Sequence, residues 1–190
     1  MALAAGLLSS CSRGDGVPPG QVQRFLVVKE VTDNLTRLIE FVGTAEQGMQ
    51  TLSRQRLGTV SARRYLAGAK TGWQNVIVET TNFTPAQANA VPGLADAVIA
   101  THEAATQWLL ALAAVSKQID TGSVRSFGAL TPKFALARTD ETKARAALAT
   151  AARTLARMAC GLETAHPGLA SAGAAAGDCA AASGLGSSTP

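Results

Sequence analysis

The sequence has few aromatic residues and almost no histidine. Aromatic residues make up 4% of the chain and there are two histidines, although hydrophobic residues as a class reach 47%. The core must therefore be built largely from Ala, Leu and Val, and Ala is the strongest helix former. Alternating β-branched runs, which are typical of strands, are nearly absent. These deficits favour an all-α fold.

Motifs for catalysis and metal binding are also missing. The sequence contains no Gly-x-Ser-x-Gly elbow and no glycine-rich phosphate loop. Glu163 and His166 have the Glu-x-x-His spacing of di-iron helix bundles, but such sites need two of these motifs and this chain has one. We interpret His102 and Glu103 as solvated surface residues, because neighbours along a helix do not face each other. We therefore predict no catalytic residue, no metal and no cofactor.

Apolar residues recur at spacings of three and four in four long segments, which we call the seams: residues 28–52, 62–83, 94–119 and 144–162. Such spacing keeps one face of a helix toward a partner. The predicted helices begin near Gln21, Ser61 and Gly93, and the last opens with the acidic pair Asp140-Glu141, whose negative charge lies at the positive end of the helix dipole. Four such helices without strands predict an antiparallel four-helix bundle. Gly68 and Gly72, one turn apart, are predicted to allow close approach of another helix.

Two connections between these segments have distinct patterns. Thr84-Pro85-Ala86-Gln87 has the sequence of a capping box followed by a short turn, with proline in the first helical position. Residues 123–138 form a long irregular connection that carries Phe127 and Phe134. Connections of this length in a compact bundle are uncommon and often functional, so we expect this one to pack over the bundle and to contribute to partner binding.

Near the start of the chain, the apolar run 2–8 is followed by Leu8-Ser9-Ser10-Cys11. This stretch resembles the lipobox of bacterial lipoprotein signal peptides. The resemblance implies cleavage before Cys11 and acylation of its thiol with fatty acids such as palmitate. Because no Lys or Arg precedes Cys11, either the true translation start lies upstream or the amino terminus alone supplies the positive charge. Ser12, rather than Asp, follows the cysteine, which in that family implies the outer membrane and a periplasm-facing domain.

The resemblance also predicts how the chain is divided into segments. Residues 1–10 are the expected signal peptide and residues 11–20 a lipidated tether rich in Gly and Pro, which disfavour a helix. Residues 21–166 are the expected helical domain, and the Ala, Gly and Ser of residues 167–190 predict a low-complexity, flexible tail. The apolar stretch 104–115 is too short to cross a bilayer and Gln107 interrupts it, so we expect no membrane span after Cys11.

The chain has three cysteines, an odd number that needs an explanation in an exported protein. If Cys11 carries lipid, Cys160 and Cys179 remain, and an oxidising periplasm would allow them to pair. Closing a loop of this size stabilises a fold by roughly 3 kcal/mol in the chain-entropy model. The alternative is two unpaired thiols.

The formal net charge is +4, and Arg145, Arg153 and Arg157 share one side of the predicted last helix, because steps of eight and four residues nearly restore the helical angle. We call these three residues the arginine stripe. It suits an acidic protein partner or anionic lipid. The alternative is a solvated face neutralised by acidic residues of the first helix, namely Glu30, Asp33, Glu40 and Glu46. Nucleic acid is not expected, because no aromatic residues are interleaved with the charge.

Trp73 and Trp108 both fall on inward seams. They either fill space among alanines or line an apolar ligand pocket between helices. The sequence therefore leads to three functional hypotheses. The first is a non-catalytic envelope lipoprotein that binds another macromolecule, such as an inhibitor, an immunity protein or an assembly factor. The second is a carrier of a small apolar ligand. The third, if Cys11 is incidental, is a cytoplasmic helical bundle of unknown role. An enzyme whose site is assembled from scattered polar residues is a further alternative.

Overall fold

The computed structural model describes residues 17–55, 59–120, 132, 134–166 and 169. Within these residues the chain forms five α-helices and no strand, which confirms the all-α class. The helices are α1 (Pro19–Ser53), α2 (Val60–Thr81), α3 (Pro85–Ala90), α4 (Leu94–Asp120) and α5 (Ala135–Ala165). The expected signal peptide and most of the tether and tail lie outside the described residues.

The structure divides into two units. One unit is Val31–Ala152, which holds most of α1 and α5 and all of α2, α3 and α4. The other consists of the described residues of Met1–Glu30 and Arg153–Pro190, where Phe25, Val28, Leu155 and Leu169 are buried.

The apolar seams read from the sequence are the faces that the helices bury. In α1, all eight positions of the first seam are buried, among them Val31 and Leu38 with no exposed surface. In α2 and α4 every seam position is likewise buried. The agreement weakens only near the end of α5, where Met158 and Leu162 are half-buried. Burial of aliphatic side chains is worth roughly 1.5–3 kcal/mol each, so these faces dominate the stability of the fold.

Helices α2 and α4 pack against each other in opposite directions. Near one end of the pair, Arg63 Nε lies 3.7 Å from Asp120 Oδ1, and near the other end Thr80 Oγ1 lies 2.8 Å from His102 Nδ1. The Thr80 hydroxyl donates to the carbonyl of Ile77, so it accepts its second hydrogen bond from the imidazole. The interpretation of His102 as a solvated surface residue was therefore wrong: it is half-buried and joins α4 to α2.

The capping box is confirmed. The amide of Gln87 donates to Thr84 Oγ1 at 3.2 Å, and the amide of Thr84 donates to Gln87 Oε1 at 2.9 Å. The expected short turn is in fact the helix α3, whose first residue is Pro85. Gly93 follows with φ +78°, a conformation that glycine adopts readily, and the chain enters α4 there.

The predicted start of the last helix was wrong. Helix α1 begins at Pro19, two residues before the expected position, but α5 begins at Ala135, five residues before the acidic pair that was expected to open it. Phe134 is completely buried beside the first turn of α5 and anchors it, and Ala135, Leu136 and Ala137 are strong helix formers. The end of the long connection is therefore helical, and most of its remainder lies outside the described residues.

By length and composition alone, α4 is apolar enough to cross a membrane, with a mean hydropathy of 1.3 in its most apolar window. Its buried residues nevertheless follow the seam spacing, and they include the polar Thr101. That pattern is expected of a helix packed against protein. The absence of a membrane span after Cys11 stays a prediction.

Helices α1 and α2 approach closely at two small residues. A Cβ atom added to Gly72 would lie 3.1 Å from the Cα atom of Ala45, and one added to Gly48 would lie 3.6 Å from the Cα atom of Ala69. The prediction of a close approach is confirmed for Gly72. At Gly68 a Cβ atom would meet nothing within 4 Å, so the prediction for that residue was wrong.

We expect Gly72→Val to destabilise the protein by roughly 1–3 kcal/mol, because the added methyl groups would press on the α1 backbone. Gly68→Val, one turn away in the same helix, is the matched control and should be neutral or slightly stabilising, because valine favours a helix more than glycine does. Urea denaturation of the two variants measures the difference. Equal stability would mean that α1 and α2 are not in close contact at Gly72.

Candidate functional site

The site is built around an aromatic stack within the Val31–Ala152 unit. The Trp73 and Trp108 rings are stacked with centroids 5.6 Å apart and an interplanar angle of 11°, and the Phe134 ring is tilted against Trp108 at 5.4 Å. At most 2% of each of these residues is exposed. The two tryptophans therefore fill the space between helices α2 and α4 with their own rings.

Trp108 also carries the polar contact that defines the site. Its indole Nε1–H donates a hydrogen bond of 2.8 Å to Glu141 Oε2 on α5. Buried tryptophan usually places its N–H against an acceptor, whereas Trp73 Nε1 has no such partner among the described residues. Trp108 thus contributes its ring to the core and one hydrogen-bond donor to a carboxyl group at the edge of the core.

A second carboxyl group reaches this position from α1. Glu46 accepts hydrogen bonds of 2.7 Å on both of its oxygens from one terminal nitrogen of Arg145, which lies one turn beyond Glu141 on α5. The Glu46 side chain is 17% exposed and that of Arg145 is 59% exposed, so the pair bridges α1 and α5 at the surface. This contact agrees, for Arg145 alone, with the alternative interpretation in which acidic residues of the first helix neutralise the arginine stripe.

Burial raises the pKa of Glu141 to about 7 from the ordinary value of 4.5. The hydrogen bond with Glu46 and the negative charge of Glu46 act in the same direction, because two adjacent carboxyl groups resist simultaneous ionisation. The hydrogen bond from Trp108 and the positive charge of Arg145 lower this pKa but do not offset the burial. Near neutral pH, Glu141 therefore exchanges between a protonated form that can donate to Glu46 and an ionised form.

These groups open onto a polar cleft of about 320 Å³ between α1 and α5. Its lining combines the two carboxyl groups, two guanidinium groups, two hydroxyl groups, an amide, a thioether and the edge of the indole: Glu46, Met49, Gln50, Ser53, Trp108, Arg138, Glu141, Thr142 and Arg145. A second cleft of about 250 Å³ lies on the other side of the Glu46–Arg145 pair, where Ile39, Val42 and Leu148 make it more apolar. A carboxyl group with a raised pKa in a cleft is a recognised sign of a functional site.

The structure brings only some of the residues predicted from the sequence to this cleft. Arg145 and Trp108 line it, and Phe134 contacts it indirectly through the Trp108 ring. Arg153 and Arg157 belong to the other unit, where both are exposed and Arg157 Nε donates to the carbonyl of Arg153. Partner binding by any of these residues stays a prediction.

Three of the predicted site residues lie outside the described part of the chain: Cys11, Phe127 and Cys179. Cys160 is half-buried in the last third of α5. Lipidation of Cys11 and pairing of Cys160 with Cys179 therefore both stay predictions.

Sequence reasoning missed the most informative residue of the site. Glu141 was interpreted only as a helix-opening charge and Glu46 only as a neutralising one, because their proximity depends on the packing of α1 against α5. One signal was available: Arg138, Glu141, Thr142 and Arg145 recur at spacings of three and four, which places them on one face of a helix beside the seam.

Metal binding finds no further support in the described part of the chain, where the His, Cys, Asp and Glu side chains form no group of three that could hold an ion. The carrier of a small apolar ligand also stays a prediction. The space between the two tryptophans is occupied by their own stacking, and the lining of the cleft beside Trp108 mixes charged side chains with apolar surface.

The raised pKa predicts how stability depends on pH. Folded Glu141 holds its proton up to a pH of about 7, whereas the unfolded chain releases it near 4.5. The contribution of this group to stability is therefore present below about 4.5 and is lost as the pH rises to about 7. Glu141→Gln keeps a neutral side chain at every pH, so its stability relative to the wild type should increase between pH 5 and pH 8. We expect a gain of roughly 1–2 kcal/mol, allowing for screening by solvent.

Urea denaturation of both proteins at the two pH values measures this change. Glu103→Gln, at an exposed position of α4, is the matched control for the loss of one carboxyl group. A stability difference between Glu141→Gln and the wild type that is the same at pH 5 and pH 8 would contradict the raised pKa.

Comparison of the chain with protein-family models, with curated proteins and with solved structures gives no significant match.

Proposed function

We propose that this chain is a non-catalytic lipoprotein of the bacterial envelope. Acylated Cys11 would anchor it in the outer membrane, facing the periplasm, and its helical domain would bind another macromolecule. In this proposal the four long helices form an antiparallel bundle, and Cys160 pairs with Cys179. Roles as an inhibitor, an immunity protein or an assembly factor all belong to this class.

The lipobox-like sequence that ends at Cys11 is the main support for this proposal. Leu8-Ser9-Ser10-Cys11 combines an apolar residue, two small residues and a cysteine directly after an apolar run, and the Gly- and Pro-rich stretch beyond it suits a tether. Lipid attachment through a short flexible linker holds a domain at a membrane without a spanning helix.

The helix contacts favour a bundle. Gly72 of α2 meets Ala45 of α1, while Gly48 of α1 meets Ala69 of α2, so these two helices run in opposite directions. Helices α2 and α4 do the same. The clefts between α1 and α5 give a third such pair, because Gly43 shares one cleft with Ala149 and Ser53 shares the other with Arg138.

Arg153 and Arg157 are the proposed partner-binding residues. Both are exposed and lie one turn apart on α5, so an acidic surface could meet them together. Arg145 lies on the same side of α5, and its guanidinium group is paired with Glu46 of α1. Exposed charges of this kind steer and select partners more than they add affinity.

The test is membrane fractionation and intact mass measurement of the natively expressed protein beside Cys11→Ala. We expect the wild type in the outer-membrane fraction, beginning at Cys11 with an added lipid mass. The Cys11→Ala variant should be uncleaved and should leave that fraction. In the same cells, crosslinking should join the anchored protein to a partner, and Arg153→Glu with Arg157→Glu should reduce that product.

Cys160→Ala is the matched control, since it removes a cysteine without touching the lipobox. A wild-type protein that is uncleaved and free of lipid would overturn the anchor. An anchored protein whose crosslinked product is unchanged by reversal of the two charges would overturn the arginine surface while leaving the anchor intact.

A further inference from the structure

The polar cleft between α1 and α5 is large enough for a small organic ligand. Its volume of about 320 Å³ corresponds to roughly ten water molecules and lies at the lower end of the range of ligand sites. All of its lining residues belong to the Val31–Ala152 unit. The cleft therefore depends on neither the lipid anchor nor the arginines of the other unit.

The charges around the cleft are of both signs and are arranged along one helix face. Arg138 and Glu141 lie three residues apart on α5, a spacing that places their Cβ atoms roughly 5–6 Å apart. Glu46 adds a second carboxyl group from α1, and Arg145 is already paired with it. The Arg138 guanidinium group has no hydrogen-bond or ion-pair partner in the described part of the chain, and it is exposed.

The end of the cleft that holds Glu46 and Glu141 has more negative than positive charge once Glu141 ionises. The carboxylates of Glu46 on α1 and Glu141 on α5 are then neighbours, with Arg145 bound to Glu46, while α4 contributes only the uncharged Trp108 indole. A bound proton relieves the repulsion, and so would an ammonium group, which has three N–H donors for the carboxylate oxygens. Binding of an ammonium group would therefore release the Glu141 proton to solvent.

The opposite end of the cleft favours an anion. Arg138 presents a planar set of N–H donors that matches a carboxylate, and Ser53, Gln50 and Thr142 add neutral hydrogen-bonding groups to the lining of the cleft. A ligand with a single charged group can pair either with the carboxylates or with Arg138, but not with both. A ligand with an ammonium and a carboxylate group satisfies both.

We propose that the cleft binds a small zwitterion, whose ammonium group replaces the proton held between Glu46 and Glu141 and whose carboxylate pairs with Arg138. This inference goes beyond the proposed anchoring and partner binding, and it does not rest on them.

The test is isothermal titration calorimetry of the full chain with γ-aminobutyrate, using n-butylamine and butyrate as ligands that each carry one of its two charges. We expect γ-aminobutyrate to bind at least tenfold more tightly than either. Its affinity should be about tenfold higher at pH 8 than at pH 6, because a carboxyl group that titrates near pH 7 is about ten times more ionised at the higher pH.

Two variants separate the two ends of the cleft. Glu141→Gln should weaken binding at least tenfold and abolish its pH dependence. Arg138→Gln, at an exposed position, should make γ-aminobutyrate bind no better than n-butylamine. Exposed residues outside the cleft provide the matched controls Glu103→Gln and Arg64→Gln, which should bind as the wild type does, and circular dichroism should show that every variant is folded.

Three outcomes would overturn the proposal: no binding of γ-aminobutyrate at concentrations up to about 10 mM, binding of butyrate or n-butylamine as tight as that of γ-aminobutyrate, or an affinity independent of pH. Because Arg138 is exposed and its replacement does not disturb the core, the Arg138→Gln result decides the question even if Glu141→Gln folds poorly.

Discussion

The site depends on one hydrogen bond, from Trp108 Nε1 to Glu141. In a chain with so few aromatic residues, the stacked rings of Trp73 and Trp108 fill much of the space between α2 and α4, and the indole N–H of Trp108 finds an acceptor at the edge of the core. Glu141 supplies the acceptor and is thereby held where burial disfavours its charge. The raised pKa of this carboxyl group follows from that burial and from the neighbouring Glu46, and it persists although the hydrogen bond from Trp108 acts in the opposite direction.

The Glu46–Arg145 pair completes the arrangement without adding much stability. Exposed ion pairs contribute roughly 0–1 kcal/mol, and Arg145 is more exposed than buried. The pair joins α5 to α1, and both of its residues line the polar cleft and the more apolar one. The buried aliphatic seams therefore supply most of the stability of the fold. Glu46, Glu141 and Arg145 instead provide the charged and titratable groups of the surface between α1 and α5.

The sequence predicted what depends on local pattern. The seams were predicted correctly because apolar residues at helical spacing lie on one face of a helix, and that face is the one that becomes buried. The capping box was predicted correctly because its two hydrogen bonds form within four residues. The start of α5 was misplaced because burial of Phe134 anchors the first turn, and that is a tertiary contact. His102 and Glu141 were missed for the same reason, since Thr80, Trp108 and Glu46 are distant in sequence from the groups that they bind.

Direct titration of the glutamate carboxyl groups tests the central claim of this account. Nuclear magnetic resonance of ¹³C-labelled protein follows each side-chain carboxyl resonance with pH, and Glu141→Gln identifies the resonance of Glu141 by its loss. The account predicts a midpoint of about 7 for this group. A midpoint near the ordinary 4.5 would show that Trp108, Glu46 and α5 do not enclose Glu141, and the account of the cleft would be wrong.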